Sequence, residues 1–85
     1  MDCARVFRAL GDRSRLCIVQ CLLERRCCIS ELHKRVGTTQ PNISQHIAYL
    51  QRAGIVKVVH RGKMRECRLA NPRAIRKLIQ YAERV

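Results

Sequence analysis

Two groups of side chains in this sequence are equipped for chemistry. The first is the neutral polar set Gln40, Asn42, Ser44 and Gln45, with His46 beside it. Amides pair with an adenine edge and a hydroxyl donates or accepts, so such a set suits the reading of bases in a duplex groove. The second is a set of thiols. Cys27 and Cys28 follow Arg25-Arg26 and precede an expected helix start. Cations and a helix N-terminus both favour a reactive thiol, so this pair is a candidate for sensing an oxidant. Cys17 and Cys21 stand one helical turn apart, a spacing that rarely meets disulfide geometry within a regular helix. An oxidative switch would instead join different elements or subunits, or stop at sulfenic acid or persulfide. For Cys17, Cys21 and Cys67 the plainer reading is core packing.

A helix must carry the polar set. Ile43, Ile47 and Leu50 recur at i, i+4 and i+7 and make one apolar stripe within residues 38–54. Thr38 or Thr39 can cap the start, Pro41 is tolerated in the first turn, and Gly54 supplies a stop. At about 100° per residue, Asn42, Ser44, Gln45, Tyr49 and Arg52 fall to the sides or back of the stripe, and Gln40 and His46 fall at its edges.

The flanking elements follow from the same signals. Residues 2–10 carry Val6, Phe7 and Leu10 at helical spacing, ended by Gly11. Asp12 caps a strongly apolar helix over residues 13–24 with Leu16, Val19, Leu22 and Leu23, flanked by Ile18 and Cys21. Cys27-Cys28-Ile29 is expected to be a small strand. Ser30 is expected to cap a short helix over residues 31–36, stopped by Gly37. A short helix, a tight glycine turn and a second helix with a polar leading end form a helix-turn-helix. After Gly54 the period changes to two: Ile55, Val56, Val58 and Val59 predict a strand, His60-Arg61-Gly62-Lys63 a basic hairpin tip, and residues 64–69 the return. Asn71-Pro72 starts a last helix with Ile75, Leu78, Ile79 and Ala82 on one stripe. The predicted fold is mostly α with a small β-hairpin wing: a winged helix-turn-helix of about five helices and two to three short strands. It forms one domain over residues 1–85, with the terminal helices pairing two copies.

The charge selects the partner. Eighteen Lys and Arg against six Asp and Glu give a formal +12, which calls for a polyanion. The basic residues are spread along the chain, and Phe7, Tyr49 and Tyr81 make no interfacial face, so a membrane surface is not the expected partner. A basic RNA-binding module is the alternative, but it would ordinarily show stacking aromatics in a motif. A thiol enzyme using Cys28 with His33 lacks an oxyanion turn and a third orienting group, so no catalysis is expected. No apolar run is long enough to cross a bilayer and no signal-peptide pattern is present, which places the expected protein in the cytoplasm with reduced thiols.

Three stretches resemble the ArsR/SmtB (arsenic-repressor-like) winged-helix family. Phe7-Arg8-Ala9-Leu10-Gly11-Asp12-Arg13-Ser14-Arg15-Leu16 is similar to the family's "ALADPTRL" opening. Gln40-Pro41-Asn42-Ile43-Ser44-Gln45-His46-Ile47, with Leu50 and Ala53-Gly54, is similar to its recognition helix. Arg61-Gly62-Lys63 with Arg68-Leu69 is similar to its wing, where Cys67 takes the place of a usual Tyr. The resemblance covers nearly the whole chain. It implies a homodimeric repressor that binds an inverted repeat in double-stranded DNA and lets go when an inducer binds. It puts DNA contacts on Gln40, Asn42, Ser44 and Gln45, on Arg61 and Lys63 of the wing, and with less weight on His46. The family's soft-metal "CVCDLC" run aligns with Cys28-Ile29-Ser30-Glu31-Leu32-His33. Cys28 is kept, Ser30 replaces the second thiol, His33 replaces the third as a competent ligand, and Cys27 or Cys3 would have to add a third ligand for zinc, cadmium or arsenic. The family's other common site, on the terminal helix, is absent as the family builds it, because residues 72–85 hold no Asp or His. A winged-helix DNA-binding regulator with no metal or redox sensor is the remaining alternative.

Overall fold

The computed structural model describes residues 3–85. Five helices, α1 (Cys3–Leu10), α2 (Arg13–Glu24), α3 (Ile29–Val36), α4 (Gln40–Arg52) and α5 (Pro72–Glu83), accompany three strands, β1 (Cys27–Cys28), β2 (Val56–Arg61) and β3 (Met64–Leu69). The strands form an antiparallel sheet in the order β1-β3-β2. Cys27 faces Cys67 and Cys28 faces Glu66 across one pair, and Val56 faces Leu69 at the base of the other. The expected architecture is therefore present, residue 2 lying outside the described residues.

Local chemistry accounts for the element ends. Asp12 accepts the Arg15 backbone N–H at 3.0 Å and Thr39 accepts that of Asn42 at 3.3 Å, so each supplies an N-cap. Asn71 does the same for Ala74 at 3.1 Å, with Pro72 in the first turn. Gly37 ends α3 in the left-handed region at φ 81°, and its N–H donates to the His33 carbonyl. At the hairpin tip Gly62 has φ 60° while Lys63 does not have positive φ, the pattern of a two-residue type II′ turn.

The strand β2 begins at Val56 rather than Ile55 and runs through His60 and Arg61, which pair with Arg65 and Met64 and leave Gly62-Lys63 as the turn. The start of α3 also differs from expectation. Ile29 opens α3 rather than closing β1, and Cys28, not Ser30, is the cap residue, with no side-chain cap bond. Pairing of Cys27 and Cys28 to β3 sets the direction of the chain, and the next side chain, Ile29, turns directly into the core at 4% exposure. Ser30 is left exposed in the first turn.

The core sits where α2, α3 and α4 cover one face of the sheet. Ile18, Val19 and Leu22 of α2 pack with Leu32 of α3, with Ile43, Ile47 and Leu50 of α4, and with Val56, Cys67 and Leu69 of the strands. The α4 stripe is buried as its spacing predicts, which obliges the opposite face of that helix to look outward. The outer helices are different. Phe7 of α1 and Tyr81 of α5 remain 59% and 71% exposed, and with Leu10, Leu16, Leu78 and Ala82 they line an open apolar cleft.

Candidate nucleic-acid interface

α4 is anchored through its buried stripe and capped by Thr39, so its leading half is rigidly held. Gln40, Asn42 and Gln45 are exposed and Ser44 is half-buried. The Asn42 amide donates to the Thr38 hydroxyl at 3.2 Å, which orients it within the turn. His46 is half-buried, with Nδ1 3.4 Å from Nη1 of Arg15. The geometry thus brings Gln40, Asn42, Ser44 and Gln45 together at one end of α4 and turns His46 toward α2.

The wing lies beside this end. Gln40, Cys28 and Ser30 share a narrow cleft with Lys63, Met64 and Arg65. Lys63 is exposed at the tip and forms no ion pair among the described residues. Arg61 is held back by Glu66, its Nε 3.6 Å from Oε1, and the same buried oxygen lies 4.0 Å from Nη1 of Arg26. Glu66 Oε1 has no hydrogen-bond partner, so these two guanidinium groups are what compensates its charge.

The thiols divide. Cys27 is 1% exposed and its sulfur accepts from Nη1 of Arg35 at 3.0 Å. Cys28, one residue on, points to the other face of the strand and is half-buried in the cleft beside the wing. His33 Nδ1 lies 3.4 Å from the Thr38 carbonyl oxygen. No three His, Cys, Asp or Glu side chains converge as metal ligands among the described residues. Cys67 is fully buried, as expected of a packing residue, and burial pushes its thiol up to about 12.

Sequence reasoning missed Arg15. Its Nε donates to the Ala9 carbonyl at 2.8 Å, its Nη2 to the Arg8 carbonyl at 3.3 Å, and its guanidinium lies 3.9 Å over the Tyr49 ring. It ties the end of α1 to α4. The Asp12-Arg13-Ser14-Arg15 segment carries no signal for a contact made 31 residues away with His46.

The arrangement presents a polar helix end flanked by a basic hairpin. The family model described as "Bacterial regulatory protein, arsR family" matches residues 12–58, from the Asp12 cap through both helices of the turn into β2. The chain belongs to the arsR family. It is a transcriptional regulator of that family, built as a winged helix-turn-helix. Among its relatives, the HTH-type transcriptional regulator CmtR of Mycobacterium tuberculosis is 34% identical over 80 residues, 91% of this chain and 68% of CmtR. The regulator KmtR from the same organism is 36% identical over 66 residues, 78% of this chain, and the match spans 51% of KmtR. The solution structure of CmtR, described as a cadmium metal-sensor, superposes with a TM-score of 0.75 over 91% of this chain and 83% of that one. The crystal structure of Rv0081 from M. tuberculosis, 32% identical, superposes with a TM-score of 0.86 over 95% and 81%. No helix among the described residues is long and apolar enough to cross a membrane.

Proposed function

We propose that this arsR-family chain is a homodimeric repressor of the cytoplasm that binds an inverted-repeat operator in double-stranded DNA. Gln40, Asn42, Ser44 and Gln45 meet base edges in the major groove, with His46 at their inner edge. Arg61 and Lys63 meet the phosphate backbone. The observation that carries this reading is the exposed amide end of α4 standing in one cleft with the unpaired Lys63 of the wing. Two such ends about one DNA turn apart require a dimer. The open apolar cleft of Phe7, Leu10, Leu16, Leu78 and Tyr81 is the surface that a second copy covers.

The inducer belongs to the thiol-directed class: a soft metal or metalloid ion such as zinc, cadmium or arsenic, or an oxidant. Of the candidate sensing residues Cys27, Cys28 and His33, Cys27 faces the core and His33 faces Thr38. Cys28 faces the cleft between α4 and the wing. An adduct there would part the two elements that hold DNA.

The test begins with selection of an operator from a random-sequence duplex pool. Asn42→Ala and Gln45→Ala should each cost about 1–3 kcal/mol and relax preference at the base that is no longer read, whereas Lys63→Ala should weaken all sequences alike. Unchanged affinity and preference in both amide variants would overturn the base-reading assignment. Cd²⁺, As(III) or peroxide should weaken operator binding, and Cys28→Ser should blunt the response. Indifference to all three would favour a regulator without this sensor.

A further inference from the structure

The flank of α4 away from the wing carries a cationic surface that the reading above leaves unused. Arg5 and Arg8 of α1 line a shallow cleft with Tyr49 and Arg52 of α4. The adjoining cleft holds Arg15, Gln45, His46, Ala48 and again Tyr49 and Arg52. The surface therefore runs without a break from Gln45, at the base-reading end, to α1. Arg5, Arg8 and Arg52 are exposed, and none of them forms an ion pair with a carboxylate among the described residues. No acidic side chain lines either cleft.

The geometry of this surface is fixed. Arg15 is consumed internally: its hydrogen bonds to the Ala9 and Arg8 carbonyls lock the last turn of α1 against α4, and its guanidinium covers one ring contact of Tyr49. Arg52 reaches the same ring, with Cζ 5.8 Å from its centroid. Arg52 follows Gln45 by seven residues, so it projects from the same side of α4, roughly 10 Å farther along the axis. A helix lying in a major groove has a phosphate backbone on each flank. The wing serves one flank, and on the other flank α1 offers Arg5 and Arg8.

We propose that Arg5, Arg8 and Arg52, spaced by Tyr49, bind backbone phosphates of the DNA duplex on the flank of α4 opposite the wing. The proposal rests on the DNA-binding reading and extends it to a second, sequence-independent contact. Three exposed cations without carboxylate partners suit phosphodiester oxygens, because no internal ion pair has to be broken first.

The salt dependence of binding to a long random-sequence duplex tests it. Wild type is compared with Arg5→Gln/Arg8→Gln, with Arg52→Gln, and with Arg73→Gln/Lys77→Gln on α5 as a control for the same loss of charge. Circular dichroism melts confirm that each variant folds. The slope of log K against log salt should fall by about 0.9 for each phosphate contact removed in the first two variants, and the control should keep the wild-type slope. Equal loss of slope in the control would overturn the proposal by reducing it to net charge. A second overturning result is a wild-type slope in both arginine variants, which would leave Arg5, Arg8 and Arg52 without a phosphate contact. Failure of wild type to bind any duplex would instead defeat the DNA-binding reading itself, and the two failures are read in separate measurements.

Discussion

The Asp12 carboxylate accepts the Arg15 backbone N–H, and that bond, ahead of any charge, holds it below the usual carboxylate range. A carboxyl whose folded value lies below its unfolded value of 3.8 contributes stability that is complete well above that value and is lost as pH falls through and below it. Asp12→Ala should cost about 1 kcal/mol at neutral pH, and its gap to wild type should narrow in acid. Asp12→Asn should keep most of the cap without the pH dependence. Thermal melts from neutral to acid pH check both. The cysteines give a second prediction. Cys67 is fully buried with its thiol raised to about 12, while Cys3 is exposed. Alkylation of the folded protein with iodoacetamide should mark Cys3 and spare Cys67 until denaturant is added, as read by mass spectrometry. At this scale the sequence was informative wherever a residue acts on its near neighbours, as Asp12, Thr39 and Asn71 do. Arg15 was opaque because it stands on α2 while its side-chain partners come from α1 and α4, and only the folded chain assembles them.

α3 and α4 are joined through Gly37, whose φ of 81° suits a residue without a Cβ. An added Cβ would meet nothing within 4 Å, so Gly37→Ala isolates the backbone cost. It should lower stability by about 1–2 kcal/mol in a urea titration, and operator affinity should fall because the turn aims α4. α4 was legible because it buries one regular stripe, and the hairpin because β-branched residues lead to a glycine tip, although of β2 only Val56 is fully buried while β3 buries Cys67 and Leu69. The start of α3 was not. Cys27-Cys28-Ile29 is a short apolar run, which does not by itself separate strand from helix, and Ser30 looks like a cap. What decided it was pairing to Cys67 and Glu66, nearly forty positions later, as the register shows. The first helix shows Val6, Phe7 and Leu10 at helical spacing, yet in the single chain Ala9 is the residue fully buried, Val6 and Leu10 are half-buried and Phe7 is exposed. An amphipathic stripe tells that a face seeks cover, not which body covers it.

That uncovered face bears on the whole molecule. Val85 at 94% exposure extends the apolar ground of Phe7 and Tyr81 to the end of the chain. If a second copy completes it, Leu78→Glu should yield a monomer by sedimentation equilibrium and lose operator affinity, since two recognition helices would no longer be linked. A dimeric Leu78→Glu protein would remove this face from the interface. The candidate DNA surface was legible in outline because charge and an amide-rich helix end are both visible in sequence. Its extent was not, since Arg5 and Arg8 stand forty or more positions before Tyr49 and Arg52.

If the proposed second copy covers the greasy seam between α1 and α5, folding is also tied to abundance. A chain that finishes its core only by meeting its twin is stabilised by mass action, so its melting temperature should climb with protein concentration rather than stay constant. Cells that hold few copies would then keep the regulator near the edge of unfolding. Operator DNA, by gathering two chains in one place, would steady the fold as well as being read by it.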